Sequence, residues 1–303
     1  MPKKSHTVEA PAELLAFLFA AFPAEKKKQV RTWLKFQCVT VNGRAISQFD
    51  HPLQKGDVVA IREDGFAAPR TKLAMGINVL FEDAAVIVID KPEGLLSIAS
   101  EAEPERTAYF QLTEYLRGGQ AKARERVWIV HRLDRETSGL MVFAKTPQAK
   151  DKLQGGWDEA VKHYEAVVEG RLPHASGVLE SDLDERNPYK VFSAPPSEFT
   201  RHAVTHYRVL GGTGAKPSGA KTKGPLRSLV SLRLETGRRH QIRVQLSDVG
   251  CPIIGDKKYG SHTDPAARLG LHACELEFPH PVTGERLKFH SPLPKDLARL
   301  VAT

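Results

Sequence analysis

Apolar residues recur along this chain with two different periods. Over residues 12–22 they lie all round a short helix. Over 25–36 they narrow to Val30, Trp33 and Leu34 on one side of a second helix, whose other side carries Lys26, Lys27, Lys28, Arg31 and Lys35. The period then drops to two. Val39-Thr40-Val41 alternates as a strand, Asn42-Gly43 marks a tight turn, and Leu53, Gly56-Asp57 and Val58-Val59-Ala60-Ile61 add another turn and strand. The pattern predicts a small helix-helix-strand module over residues 1–66.

Residues 64–72, with Gly65 and Pro69, read as a linker into a second unit over 67–303. That unit starts its regular pattern near Leu80. Strands are predicted at 86–90, 141–144, 163–170, 203–210, 229–235 and 271–278, with helices at 107–116 and 148–157. Residues 118–126 read as a polar loop. Residues 211–225, rich in Gly, Lys and Pro, read as a mobile excursion. Strands outnumber helices and several connections are hairpin-length. The fold class expected is α+β: a large mixed, mostly antiparallel sheet flanked by helices, plus the small N-terminal α+β module.

Composition narrows the partners. Hydrophobic residues make up 41% and charged residues 26%, ordinary for a water-soluble globular protein. Lys and Arg number 44 against 36 Asp and Glu, a net charge of +8, which permits a polyanionic partner without demanding one. Cys38, Cys251 and Cys274 are scattered, as reduced thiols are, and no cluster has metal-ligand spacing. The start has no apolar core of signal-peptide length, and Leu14 to Phe22 is too short to span a bilayer. A cytoplasmic protein without metal or membrane partner is expected. The run Gly211-Gly212-Thr213-Gly214-Ala215-Lys216-Pro217-Ser218 lacks phosphate-loop spacing, and Pro217 stands where a helix would start.

The chemistry concentrates in His131-Arg132-Leu133-Asp134-Arg135-Glu136-Thr137-Ser138-Gly139-Leu140. One carboxylate, Asp134, stands among cations just before an apolar strand, where a rigid sheet presents a functional group. Taken alone, such an Asp is commonly a structural ion pair. The wording, however, resembles the HRLD-x-x-TSG signature of the RluA-type RNA pseudouridine synthases. Three later blocks follow in the family's order. Lys162-His163-Tyr164-Glu165-Ala166-Val167-Val168-Glu169-Gly170 resembles its K-x-Y strand. Thr236-Gly237-Arg238-Arg239-His240-Gln241-Ile242-Arg243 resembles TGR-x-HQIR. Pro252 to Gly260 resembles P-I-x-GD-x-x-YG. The likeness spans roughly 80–295. The N-terminal pattern resembles the αL-type RNA-binding domain of a small-subunit ribosomal protein.

The resemblance implies an enzyme that isomerises uridine in RNA without a cofactor. It makes Asp134 the catalytic carboxylate, as nucleophile at the sugar carbon or as base at its neighbour. It assigns Arg132 to the space vacated by an everted base, with a phosphate contact or an ion pair to Glu136 as the alternative. It has Tyr164 stack on the uracil, where strand alternation alone gives a core aromatic. It pairs Arg243 with Asp134, where the local pattern alone gives an arginine on a surface helix. Lys27, Lys28, Arg31 and Lys35 would face the RNA backbone, or form a solvated face. Gln245 and Arg239 depart from the family's usual residues. Lys257, Lys258 and Tyr259 could touch RNA or form a structural turn. The partner expected is RNA, ribosomal favoured over transfer, acted on by a monomer. The rival readings are a catalytically silent RNA-binding or ribosome-assembly factor, and a hydrolase of free uridine.

Overall fold

The computed structural model describes residues 4–25, 27–35, 39–46, 48–61, 71–99, 103–118, 124–213 and 226–302. The chain forms two compact units, 1–71 with 79–87, and 72–78 with 88–303. The expected linker lies mostly outside the described residues, as do residues 119–123 of the loop expected at 118–126 and residues 214–225 of the one expected at 211–225.

In the first unit, β1 (Lys4–Thr7), α1 (Leu14–Ala21), α2 (Lys27–Lys35), β2 (Val39–Val41), β3 (Arg44–Ala45) and β4 (Val58–Ile61) build an antiparallel sheet of order β1-β4-β2-β3. Leu14, Leu18, Val30, Leu34, Val39 and Val59 share one core. The two turns lock together. Asn42 donates to Asp57 at 2.8 Å, its side-chain carbonyl accepts from the Val58 N–H at 2.9 Å, and Asp57 accepts from Gln54 N–H at 2.7 Å. Lys27 and Arg31 hold their cations 5.7 and 5.5 Å from the Phe19 ring centroid. The side chains of Lys28 and Lys35 lie outside the described residues.

The second unit is built on a mixed sheet. Its strands include β5 (Val86–Lys91, of which residues 88–91 fall in this unit), β6 (Ser138–Ala144), β7 (Val161–Glu169), β8 (Ser176–Asp184), β9 (Phe192–Ser193), β10 (Thr200–Gly212), β11 (Arg227–Leu234), β12 (Leu271–Pro279) and β13 (Arg286–His290). Their order is β9-β8-β10-β11-β7-β12-β6-β5, with β13 on β12. The join between β6 and β12 is parallel, while β7 is antiparallel to both β11 and β12. The longer helices are α3 (Ala108–Arg117), α4 (Pro147–Gly155) and α5 (Gln241–Asp248). Thr107 and Thr146 cap the first two through their side-chain oxygens.

Two expectations are corrected here. Gly211 and Gly212 belong to β10, not to the loop. A Cβ on Gly212 would lie 2.2 Å from the Arg227 carbonyl oxygen, so a glycine serves there to let two strands approach. Helix α5 is not a surface helix, because residues 241–246 are all buried. Ile242 and Leu246 pack with Leu179, Tyr207, Val230 and Leu232 on one face of the sheet. On the polar side Gln245 accepts from Thr205 (2.6 Å) and donates to the carbonyls of Leu179 and Ala203 and to Ser181. A buried amide so fully satisfied fixes the helix in place.

Candidate active site

One row of paired residues sets the site. Gly139 on β6 lies beside Ala273 on β12, Ala273 opposite Tyr164 on β7, and Tyr164 opposite Leu232 on β11. The β7–β12 register slips between His163 and Tyr164, a bulge that re-aims the tyrosine. Gly139 is required by this row. Its φ is +117°, and a Cβ would stand 2.3 Å from the Ala273 carbonyl oxygen.

The loop before Gly139 is pinned from several sides. His131 Nε2 accepts the Val142 N–H at 3.1 Å, and its ring stacks on Trp157 at 4.5 Å. Burial, and then the charge of Lys162, push His131 down to about 3, so it is neutral and protonated on Nδ1. Ser97 donates to the Leu133 carbonyl at 2.7 Å and accepts the Leu133 N–H at 3.1 Å. The fully buried Lys91 ammonium donates to the carbonyls of Pro92, Leu95 and Arg135 at 2.9, 2.8 and 3.2 Å. Burial pushes Lys91 down to about 7, opposed by the charges of Asp134, Glu136 and Glu93. Neither Lys91 nor Ser97 was singled out in the sequence. The signal was the Lys-Pro-Glu-Gly turn after a buried strand.

Asp134 emerges from this loop with its side chain 17% exposed. Its Oδ2 accepts from Arg243 Nη1 at 3.2 Å and lies 3.8 Å from His240 Nε2. The same Nη1 reaches Glu136 at 3.3 Å, so Glu136 pairs with Arg243 and not with Arg132. The expected Asp134–Arg243 pair is therefore present, but it is not the arginine's main anchor. That anchor is Asp256, which takes Nε at 2.7 Å and Nη2 at 2.9 Å in a two-pronged grip, with Asp256 1% exposed. Burial alone would lower the guanidinium's pKa. The hydrogen bonds and charge of Asp256, followed by Asp134 and Glu136, raise it instead.

The last two motifs interlock twice. Asp256 grips Arg243, and the Tyr259 hydroxyl lies 2.7 Å from His240 Nδ1. Of the two alternatives for Tyr259, its burial favours the structural turn over RNA contact; Lys257 and Lys258 beside it are exposed. Gln241 holds the intervening turn by bonding Thr236, the Arg238 N–H, the Val204 carbonyl and Thr205. Arg239 is spent on the carbonyls of Glu185, Asn187 and Pro188.

Arg132, Asp134, Tyr164, His240 and Arg243 line one open cleft. Arg132 is exposed at this cleft and makes no hydrogen bond or ion pair among the described residues. Burial, then the negative charge of Asp134, then Cys274, push the Tyr164 phenol well above its ordinary value, so its hydroxyl keeps its proton. Asp134 Oδ1 has no hydrogen-bond donor among the described residues, whereas Oδ2 is taken by Arg243. Among those residues no group of three His, Cys, Asp or Glu side chains could hold a metal ion.

Comparison with known proteins gives a consistent result. Residues 85–248 match the family model described as RNA pseudouridylate synthase. The chain is 31% identical over 300 residues to the ribosomal large subunit pseudouridine synthase D of Yersinia pestis, covering 92% of this chain and 87% of that protein. It is 34% identical to the protein of the same name in Xanthomonas campestris pv. campestris, covering 95% and 87%. Among solved structures it resembles human RNA pseudouridylate synthase domain containing 4, with a TM-score of 0.57, 26% identity, and 73% and 90% of the two chains covered.

Proposed function

The chain belongs to the RNA pseudouridylate synthase family, and from that premise we propose that it isomerises uridines of large-subunit ribosomal RNA, with Asp134 as the catalytic group. The substrate reading comes from the names of the relatives it resembles. The observation that carries the residue assignment is the Asp134 carboxylate, oriented by a buried arginine in a cleft shared with Tyr164.

The reaction makes simple demands. The bond from C1′ to N1 breaks and its electron pair stays with the uracil. A new bond forms from C1′ to C5, the C5 proton leaves to solvent, and N1 takes up a proton. A carboxylate assists either by adding to C1′ or by removing the C2′ proton, and both routes need one free anionic oxygen. With Oδ2 engaged by Arg243, Oδ1 fills that role. Tyr164, kept neutral, offers its ring face to the detached base and its hydroxyl as a donor. Arg132 occupies the stack when the base is everted, since the target must leave its helix to reach the cleft. The helix carrying Lys27, Lys28, Arg31 and Lys35 adds affinity for the RNA backbone. The bacterial relatives named for large-subunit ribosomal RNA support a cytoplasmic location.

Loss of the C5 hydrogen supplies the assay. RNA transcribed with [5-³H]uridine releases tritium for each uridine converted. The wild type is expected to release it from large-subunit ribosomal RNA, and Asp134→Asn to release none while binding that RNA as before. Release from transfer RNA alone overturns the substrate, and turnover by Asp134→Asn overturns the residue. A catalytically silent RNA-binding factor is disfavoured by the retained constellation of Asp134, Tyr164 and Arg243 around one cleft.

A further inference from the structure

We propose that His240 is a second reacting-centre residue: a neutral imidazole, locked by Tyr259 into the tautomer that presents Nε2–H to the cleft, donating a hydrogen bond to the oxyanion of the detached uracil. The inference rests on the pseudouridine synthase reading above and adds a role which that reading does not contain.

The lock follows from donor counting. The Tyr259 hydroxyl is buried and accepts the Val191 N–H at 2.9 Å. Its own proton then needs an acceptor, and His240 Nδ1 lies 2.7 Å away. If Nδ1 carried a proton instead, the hydroxyl would receive two donors, and its own hydrogen would find no acceptor among the described residues. Satisfying every buried group therefore puts the imidazole proton on Nε2. The His240 and Tyr259 rings meet edge to face at 5.6 Å.

The electrostatics point the same way. Burial lowers the His240 pKa. Asp134 opposes that fall, and the cations of Arg243, Lys258 and Arg239 reinforce it. The Tyr259 phenol is raised, first by burial, so it keeps the proton it donates. An imidazole that stays neutral beside a carboxylate is a hydrogen-bond donor and not a proton store.

The donor is aimed and unspent. Nε2 lies 3.8 Å from Asp134 Oδ2, beyond hydrogen-bond range, and lines the same cleft. When C1′–N1 breaks, the charge left on uracil spreads over N1 and its two carbonyl oxygens. The base must turn before C5 can attack, and a fixed donor in the cleft holds the anion close to C1′ meanwhile. The backbone shows that this placement is imposed. His240 sits at φ +54°, left-handed space that asparagine tolerates better than most residues.

That preference makes the test selective. His240→Asn suits the backbone and can replace Nδ1, but cannot reach the Nε2 position. His240→Gln can place an amide N–H near Nε2. Single-turnover tritium release from large-subunit ribosomal RNA should fall about 10²-fold in His240→Ala and His240→Asn, with RNA affinity kept, and recover to within about tenfold in His240→Gln. Long-range ¹H–¹⁵N NMR of the wild type should show the Nε2–H tautomer, and Tyr259→Phe should mix the two. A near-wild-type rate in His240→Ala, a glutamine variant no better than the asparagine one, or an Nδ1–H tautomer each overturns the proposal. Failure of the function itself is read separately, as no release by the wild type. The tautomer measurement needs no RNA and still decides the lock.

Discussion

Replacing Asp256 by asparagine tests the arrangement where it is least visible from the cleft. The substitution keeps the shape and one acceptor but deletes the charge that grips Arg243 at 2.7 and 2.9 Å. Arg243 is 4% exposed and its partner 1%, so the guanidinium cannot turn to water for compensation. Removing one partner of a buried ion pair costs about 3–5 kcal/mol. Asp134 and Glu136 still face Nη1, and the amide oxygen still accepts one bond, so the lower end applies. In a unit of this size each kcal/mol moves the melting temperature by about 2–4 °C, which predicts a fall of about 6–12 °C. The loosened guanidinium also ceases to orient Asp134, and a misplacement near an ångström lowers the single-turnover rate about tenfold to a hundredfold. Differential scanning calorimetry and tritium release measure the two effects. Pairing the change with Arg243→Met should restore part of the stability, because no buried charge is then left alone, but none of the activity. A variant melting within about 2 °C of wild type at full rate would refute the claim that Asp256 is the arginine's anchor.

Three further outcomes are expected. Gly139→Ala forces a Cβ to within 2.3 Å of the Ala273 carbonyl at a φ of +117°, so the β6–β12 join should part; wild-type melting and activity would contradict this. His131 takes up a proton near 6.5 in the unfolded chain but only near 3 when folded, first because it is buried. The unfolded state therefore binds more protons within that window, and the stabilisation present above 6.5 is lost as the pH falls through it. His131→Asn keeps a side-chain acceptor without the titration, so its melting temperature should fall less steeply than wild type from pH 7 to 4.5; parallel slopes would exclude His131 as a source. Lys27→Ala with Arg31→Ala should weaken RNA binding and flatten its salt dependence by up to about two in log–log slope, and an unaltered slope would give that helix another job.

The sequence carried Asp134, Tyr164 and Arg243 because each sits in a run whose wording is itself distinctive. Strand positions were legible most plainly in β5 and β6, for the same reason that these strands are buried: their apolar runs are continuous. What stayed hidden depends on contacts between runs. Asp256 reads as half of a Gly-Asp turn, and nothing local says that its carboxylate points at an arginine thirteen residues back. Tyr259 reads as exposed beside two lysines, yet it is buried against His240 and Val191. Helix α5 has the spacing of a half-exposed helix, but its polar residues bond to sheet, strand ends and carboxylates, so their polarity was no guide to exposure. Ser97 and Lys91 hold the Asp134 loop through backbone carbonyls, a role that any small hydroxyl or long amine could fill, and so one that leaves little mark in composition.

The parallel join of Ser138 to His272 has a consequence for the order of events during synthesis. The two strands beside the cleft, β6 and β7, both pair with a strand that starts at Leu271. A nascent chain halted before that point holds its aspartate but lacks the strand between β6 and β7. Contacts so distant in sequence form late and slowly. The loop that carries Asp134 and the strand that carries Tyr164 are therefore joined through the sheet only once β12 has been made.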